Sequence, residues 1–258
     1  MRSRRTRSVV ASTLLVGAVF AAPACALAEQ VEFARGTIDQ ALTSDRPGTP
    51  TGTRFSARYH AAGDRDAPPP YMRKMTFYPR AGWRWDTSVP ERCTASDLEL
   101  AARGAAACPE GSRIGGGSAD FLFMRSFPTT VEIDAFNNTG EQVMLARSPV
   151  LTTVVRGRFQ PDGSLEFDRP PMCYPSTAGC PVDNSVQVAS RIALGPYTRP
   201  SGGTVRSYMT TPAKCPKSRR WTSQIRIWWA DGSVDTIVMN QPCKRPAAKR
   251  RKRFDRRG

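Results

Sequence analysis

The stretch Trp221 to Gln241, WTSQIRIWWADGSVDTIVMNQ, constrains the fold more than any other, and Cys215 and Cys243 stand just outside its two ends. Asp231-Gly232 at its centre suits a two-residue type I′ hairpin turn, because both turn positions need φ > 0. With those two residues at the tip, Trp229 faces Val234, Ile227 faces Thr236 and Ile225 faces Val238. Strand side chains alternate, so Trp221, Ile225, Ile227, Trp229, Val234, Thr236 and Val238 are expected on one apolar face. Arg220, Thr222, Gln224, Arg226 and Asp235 are expected on the other. A hairpin of this kind is marginal alone in water and needs a sheet to join and a layer to cover it.

The rest of the chain supplies that sheet. Val31–Ile38, Thr53–Tyr59, Met72–Tyr78, Ser118–Met124, Val131–Phe136, Gln142–Arg147, Leu151–Phe159, Ser185–Leu194 and Thr204–Met209 are short β-rich runs. Turn chemistry separates them: Asn137-Asn138-Thr139-Gly140, Pro161-Asp162-Gly163 and the proline-rich loop 168–184. One helix is expected, capped by Thr94 or Ser96, running through Leu98 to Ala102 and stopping at Gly104. The fold class expected is all-β: a disulfide-braced antiparallel β-sandwich or jelly roll with one short helix.

The first 28 residues carry Arg2, Arg4, Arg5 and Arg7 before an apolar run from Val9 to Ala22, and Ala26-Leu27-Ala28 offers a cleavage site. These are the marks of a secretory signal peptide, too short for a membrane span. Arg4-Arg5 hints at a twin-arginine signal, but the apolar residues expected directly after the pair are missing. Ala22-Pro23-Ala24-Cys25 makes a poor lipidation box. Cleavage after Ala28 leaves Cys93, Cys108, Cys173, Cys180, Cys215 and Cys243, an even set that reads as a disulfide framework in an exported chain. Sequential pairing is the most economical. Cys93–Cys108 brackets the helix, Cys173–Cys180 ties the proline-rich loop and Cys215–Cys243 clamps the hairpin base. In the chain-entropy model, closing a loop of roughly 15 residues contributes about 3 kcal/mol. There is no C-x-x-C, and His60 is the single histidine, so neither metal nor cofactor is expected.

Charge is uneven. Of the net +16, the four leading arginines hold +4 and residues 244–258 hold +8, which leaves the body 29–243 at +4. The tail cations are Lys244, Arg245, Lys249, Arg250, Arg251, Lys252, Arg253, Arg256 and Arg257. Read alone, such a run resembles a nuclear import or nucleic-acid-binding segment. In an exported chain the polyanions to hand are cell-wall and other extracellular polymers. The domain plan is thus a signal peptide (1–28), one β-sandwich (29–243) and a disordered basic tail (244–258).

Several motifs resemble a known group. They are the strand end FYPRAGWRWD, P-x-x-C before a short helix, A-C-P-x-G-S-x-I-G-G-G, and a final C-P…W…DG…PC hairpin. Together they are similar to a group of uncharacterised exported proteins from high-GC Gram-positive bacteria, over most of 45–243. The resemblance implies a disulfide-braced extracellular β-sandwich and no particular activity.

Catalytic signatures are weak. Gly115-Gly116-Gly117 lacks the lysine and spacing of a phosphate loop and reads as a bend or bulge. His60 has no nucleophile elbow to serve. Glu132 with Asp134, or Glu166 with Asp168, would set two acids on one side of a strand, as a glycoside hydrolase requires and as a solvated face also does. Gly63-Asp64-Arg65-Asp66 has too few oxygen ligands for calcium. Trp83, Trp85 and Trp228 lie beside polar residues, so they either stack sugars as a glycan-binding module or are structural, Trp83 and Trp85 plugging the end of the sandwich and Trp228 packing on a neighbouring strand. The expectation is a secreted, non-catalytic, envelope-associated protein whose tail binds anionic polymers. The alternatives are glycan binding through those tryptophans and, third, a hydrolase with paired acids.

Overall fold

The computed structural model describes residues 29–149, 151–169 and 185–244. Its first strands are β1 (Glu29–Phe33), β2 (Gly36–Leu42), β3 (Thr53–Tyr59), β4 (Met72–Tyr78) and β5 (Arg84–Trp85). After helix α1 (Asp97–Arg103) come β6 (Arg113–Phe123), β7 (Phe127–Asn138), β8 (Glu141–Ser148), β9 (Leu151–Phe159) and β10 (Leu165–Asp168). The last are β11 (Ser185–Leu194), β12 (Thr198–Ser201), β13 (Thr204–Ser207), β14 (Met209–Thr210), β15 (Arg220–Trp229) and β16 (Val234–Pro242). The all-β, antiparallel, disulfide-braced architecture with one short α-helix is as expected.

Twelve of these strands form one antiparallel sheet in the order β1-β2-β3-β11-β6-β7-β8-β9-β10-β4-β15-β16. The sheet rolls over on itself until its two ends meet. Asn240 N donates to Glu29 Oε2, Arg220 pairs with Glu29, and Gln241 Nε2 donates to the Gln40 carbonyl at 2.6 Å. Ile38 of β2 packs in one cluster with Ile225, Ile227, Ile237 and Met239 of the final hairpin. The result is a sandwich closed toward a barrel, with alternate residues of every strand pointing inward.

Outside the roll, α1 covers β7, β8 and β9. Ser96 caps it: its Oγ accepts from Glu99 N, while Glu99 Oε2 accepts from Ser96 N at 2.8 Å. This reciprocal box satisfies two donors that the first turn would otherwise leave unmade. Leu100, fully buried, enters a cluster with Phe136, Val143, Leu145 and Cys93. Cys93–Cys108 closes the loop that carries the helix, and Cys215–Cys243 joins the two sides of the final hairpin's base, with Cα separations of 4.8 and 5.6 Å. Cys173–Cys180 lies outside the described residues.

Four sequence expectations change. The run from Val31 to Ile38 is two strands, because the chain turns at Ala34-Arg35 and pairs Phe33 with Gly36. Leu165–Asp168, after the Pro161-Asp162-Gly163 turn, form a strand, β10, that the expected β-rich runs do not include and that takes in the first residue of the expected 168–184 loop. The strand expected from Ser118 begins at Arg113 and takes in Gly115 to Gly117, with the bulge expected at these glycines between Arg113 and Gly115; a Cβ at Gly117 would overlap the Arg191 carbonyl of β11.

The fourth change concerns the hairpin, which has a three-residue tip. Gly232 N donates to the Trp229 carbonyl and Trp229 N to the Ser233 carbonyl, with Gly232 at φ +82°. That is a tight turn followed by a left-handed glycine, the usual three-residue hairpin. The register becomes Trp228 opposite Val234, Ile227 opposite Asp235 and Ile225 opposite Ile237. One extra turn residue reverses every side chain of β16. Asp235, Ile237, Met239 and Gln241 point inward and are buried, whereas Val234 and Val238 are about half exposed. The β15 face is as expected, with Trp221, Ile225, Ile227 and Trp229 buried.

Candidate functional site

Inward-pointing residues fill only part of the roll. Phe55 (β3), Met75 (β4), Met144 (β8), Phe167 (β10) and Ile192 (β11) meet around its middle, and a cavity lies on each side of them. Each of the five lines both cavities, so they form a waist between two chambers of about 110 and 100 Å³. Native interiors are normally packed like organic crystals, with few voids larger than a water. An apolar void of about 150 Å³ is enough to admit a benzene-sized guest. The pair of chambers exceeds that.

The larger chamber is walled by Phe121, Val131, Ile133, Ala146 and Val155, with Tyr59, Ser190 and Arg169 at its margin. Tyr59 is fully buried, and burial pushes its hydroxyl up to about 12, with a hydrogen bond to Ser190 and the Arg169 charge acting in the opposite direction. Arg169 donates to Ser185 Oγ at 3.1 Å, and its guanidinium lies over the rings of Tyr71 and Phe121.

The smaller chamber is different. Trp83 and Trp85 form one wall, edge to face at 5.5 Å, and Trp85 also meets Phe159 and Tyr208. Gln142 of β8 and Thr53 of β3 line it too. Gln142 Nε2 donates to the Tyr208 hydroxyl at 2.9 Å, while Gln142 Oε1, Thr53 Oγ1, Trp83 Nε1 and Trp85 Nε1 are buried without a partner. Behind Trp83 stands Arg80, 2% exposed, its guanidinium over Trp83 at 5.2 Å and Trp221 at 5.9 Å.

Trp83 and Trp85, both half-buried, therefore face the interior of the roll and line the smaller chamber. Trp228 is separate, on the outer face of β15, where the Lys74 ammonium sits 5.0 Å from its ring. Arg226 shares that face and lies over Tyr78; Asp235 does not, because the hairpin register turns it inward. There it accepts from Trp229 Nε1 at 2.8 Å and pairs with Arg35 at 3.4 Å.

In each acid pair one member is tied to cations. Asp134 is held between Arg113 and Arg147, and Glu166 is held by Lys74, while Glu132 and Asp168 are exposed. His60 Nδ1 lies 2.8 Å from the Ala61 carbonyl. Of the tail cations, Lys244 pairs with Asp45 at 2.6 Å; Arg245, Lys249, Arg250, Arg251, Lys252, Arg253, Arg256 and Arg257 lie outside the described residues. Among the described residues no helix is long and apolar enough to cross a membrane.

Sequence reading missed the chambers, and with them Arg80, Gln142, Met75 and Met144. The one available signal was the spacing of Trp83 and Trp85, two apart and so on one side of an extended segment.

No family model, curated protein or solved structure matches the chain.

Proposed function

We propose that the protein is an exported, non-catalytic carrier that holds a small apolar molecule inside its rolled sheet and is kept at the cell envelope by its cationic tail. The first part is carried by one observation: the inward faces of ten strands enclose two adjoining apolar chambers instead of closing on one another. Pockets for small ligands are concave and mostly apolar, with a few placed polar groups, and these chambers have that character. Two disulfides among the described residues are consistent with an extracellular setting. The second part is supported by composition. Nine Lys/Arg against one Asp in residues 244–258 suit binding to anionic polymers by counterion release.

Titration of the mature protein with phenylnaphthylamine, a neutral dye that brightens in apolar surroundings, tests the lumen. Saturable binding at one dye per chain is expected, and Met144→Trp, which fills the waist, should weaken it about tenfold or more. Absence of saturable binding, or equal binding by the variant, would remove the carrier reading. For the tail, the full mature chain and a version ending at Lys244 are compared on isolated cell walls across a salt series. Salt-sensitive retention of the full chain alone is expected. Equal retention of both would remove the tether.

A further inference from the structure

Around the smaller chamber, hydrogen-bond donors outnumber acceptors. Trp83 Nε1, Trp85 Nε1 and the Thr53 hydroxyl are buried without partners, as are Nε and Nη1 of Arg80 behind them. The orphan acceptor in the wall is Gln142 Oε1. Arg80 has no carboxylate within ion-pair distance among the described residues; its one hydrogen bond is a long one, from Nη2 to Ser223 Oγ at 3.5 Å. A buried cation lacking an anion is costly, and cation–π contact offsets only part of that cost. Burial alone pulls Arg80 down to about 10, which still leaves it charged at neutral pH. Unused donors beside an uncompensated positive charge are complementary to an anion that brings its own acceptors.

From that chamber the way onward is apolar. Met75 and Met144 stand in the waist, and methionine is unbranched and adaptable enough to let a chain pass. Beyond them lie Phe121, Val131, Ile133, Ala146 and Val155.

We propose that the ligand is a single-chain fatty carboxylate, its head at the Trp83–Trp85 end and its alkyl chain threaded between Met75 and Met144 into the larger chamber. The indole N–H groups and the Thr53 hydroxyl are its contacts. Arg80, which stacks on Trp83 and does not itself line the chamber, supplies the counter-charge. This assignment rests on the carrier reading above and specifies its ligand.

The test measures binding of decanoate and of decanol to the mature protein by calorimetry and tryptophan fluorescence at neutral pH. Decanoate should bind about tenfold or more tighter than decanol. Arg80→Met, which keeps most of the stem but removes the charge, should erase that preference while leaving decanol affinity in place, and Arg80→Lys should restore part of it. A structural role for Arg80 would weaken both ligands together and leave the ratio unchanged. Equal affinities in the unaltered protein, or a ratio unmoved by Arg80→Met, overturn the assignment. So does a ratio lost in Arg169→Met but kept in Arg80→Met, which would put the head at the opposite end. Should Arg80→Met fail to fold, the unaltered ratio and the Arg80→Lys result decide. Failure of both ligands to bind would count against the carrier reading itself.

Discussion

Without the Asp235 carboxylate, two donors lose their acceptor: the buried Trp229 Nε1 and one arm of the half-buried Arg35 guanidinium. Asp235→Ala should therefore cost about 3 kcal/mol, as expected when one partner of a buried ion pair is removed. Asp231→Ala, which breaks the more exposed contact of the same arginine together with the Ser233 contacts at the hairpin tip, should cost clearly less. Urea unfolding midpoints check both, and equal losses would show that Asp235 has water to replace its partners. Tyr59 gives a pH signature. In the unfolded chain it ionises near the ordinary 10.0, whereas the folded protein holds its proton to about 12. Across that window the unfolded state sheds a proton that the folded state keeps, so stability should fall as pH rises. Tyr208, buried and also pushed up, acts in the same direction, and Arg80, pulled down, opposes it. Tyr59→Phe should make the decline between those two values shallower, as read by denaturation at stepped alkaline pH; an unchanged slope would refute the tyrosine origin. Neither residue's setting is legible in sequence. Asp235 reads as solvent-facing because its partner Arg35 is 200 positions away, and Arg80 reads as an ordinary loop cation.

Strand identity was the most readable level, since alternation and turn residues are local. Thr53–Tyr59, Met72–Tyr78, Leu151–Phe159 and Ser185–Leu194 have the bounds expected from sequence. Register was less readable. Two-residue and three-residue tips both place Gly232 at positive φ, so the glycine does not say whether Ala230 belongs to the strand or to the turn. The face of β15 is independent of that choice. Ile227→Asp would place an unpaired charge in the cluster around Trp229, Ile225 and Met239 and should prevent folding. Thr222→Asp, on the exposed side of the same strand, should stay within about 0.5 kcal/mol. Circular dichroism and expression yield separate the two, and similar behaviour would mean that the faces are misassigned. The helix was legible because its cap is local: Ser96 and Glu99 carry the reciprocal pattern in four residues.

Whole-molecule closure was beyond sequence reading. Alternation tells which side chains point inward but not how far apart opposing walls will stand, and that separation depends on the curvature of twelve strands together. The wall spacing also has a mechanical consequence. A folded state with unfilled interior occupies more volume than its atoms require, and unfolding lets solvent reclaim that space, so compression favours the unfolded form. The volume decrease on unfolding should lie toward the upper part of the roughly 20–100 mL/mol seen for proteins, because it scales with the void eliminated. Met144→Trp should reduce it by filling the waist, and decanoate should raise the unfolding pressure of the unaltered chain. High-pressure fluorescence of the five tryptophans reads these changes directly. Identical volume changes with and without the added indole would mean that the chambers collapse without loss, whereas a difference would make the hollow in the sheet a measurable compressible element.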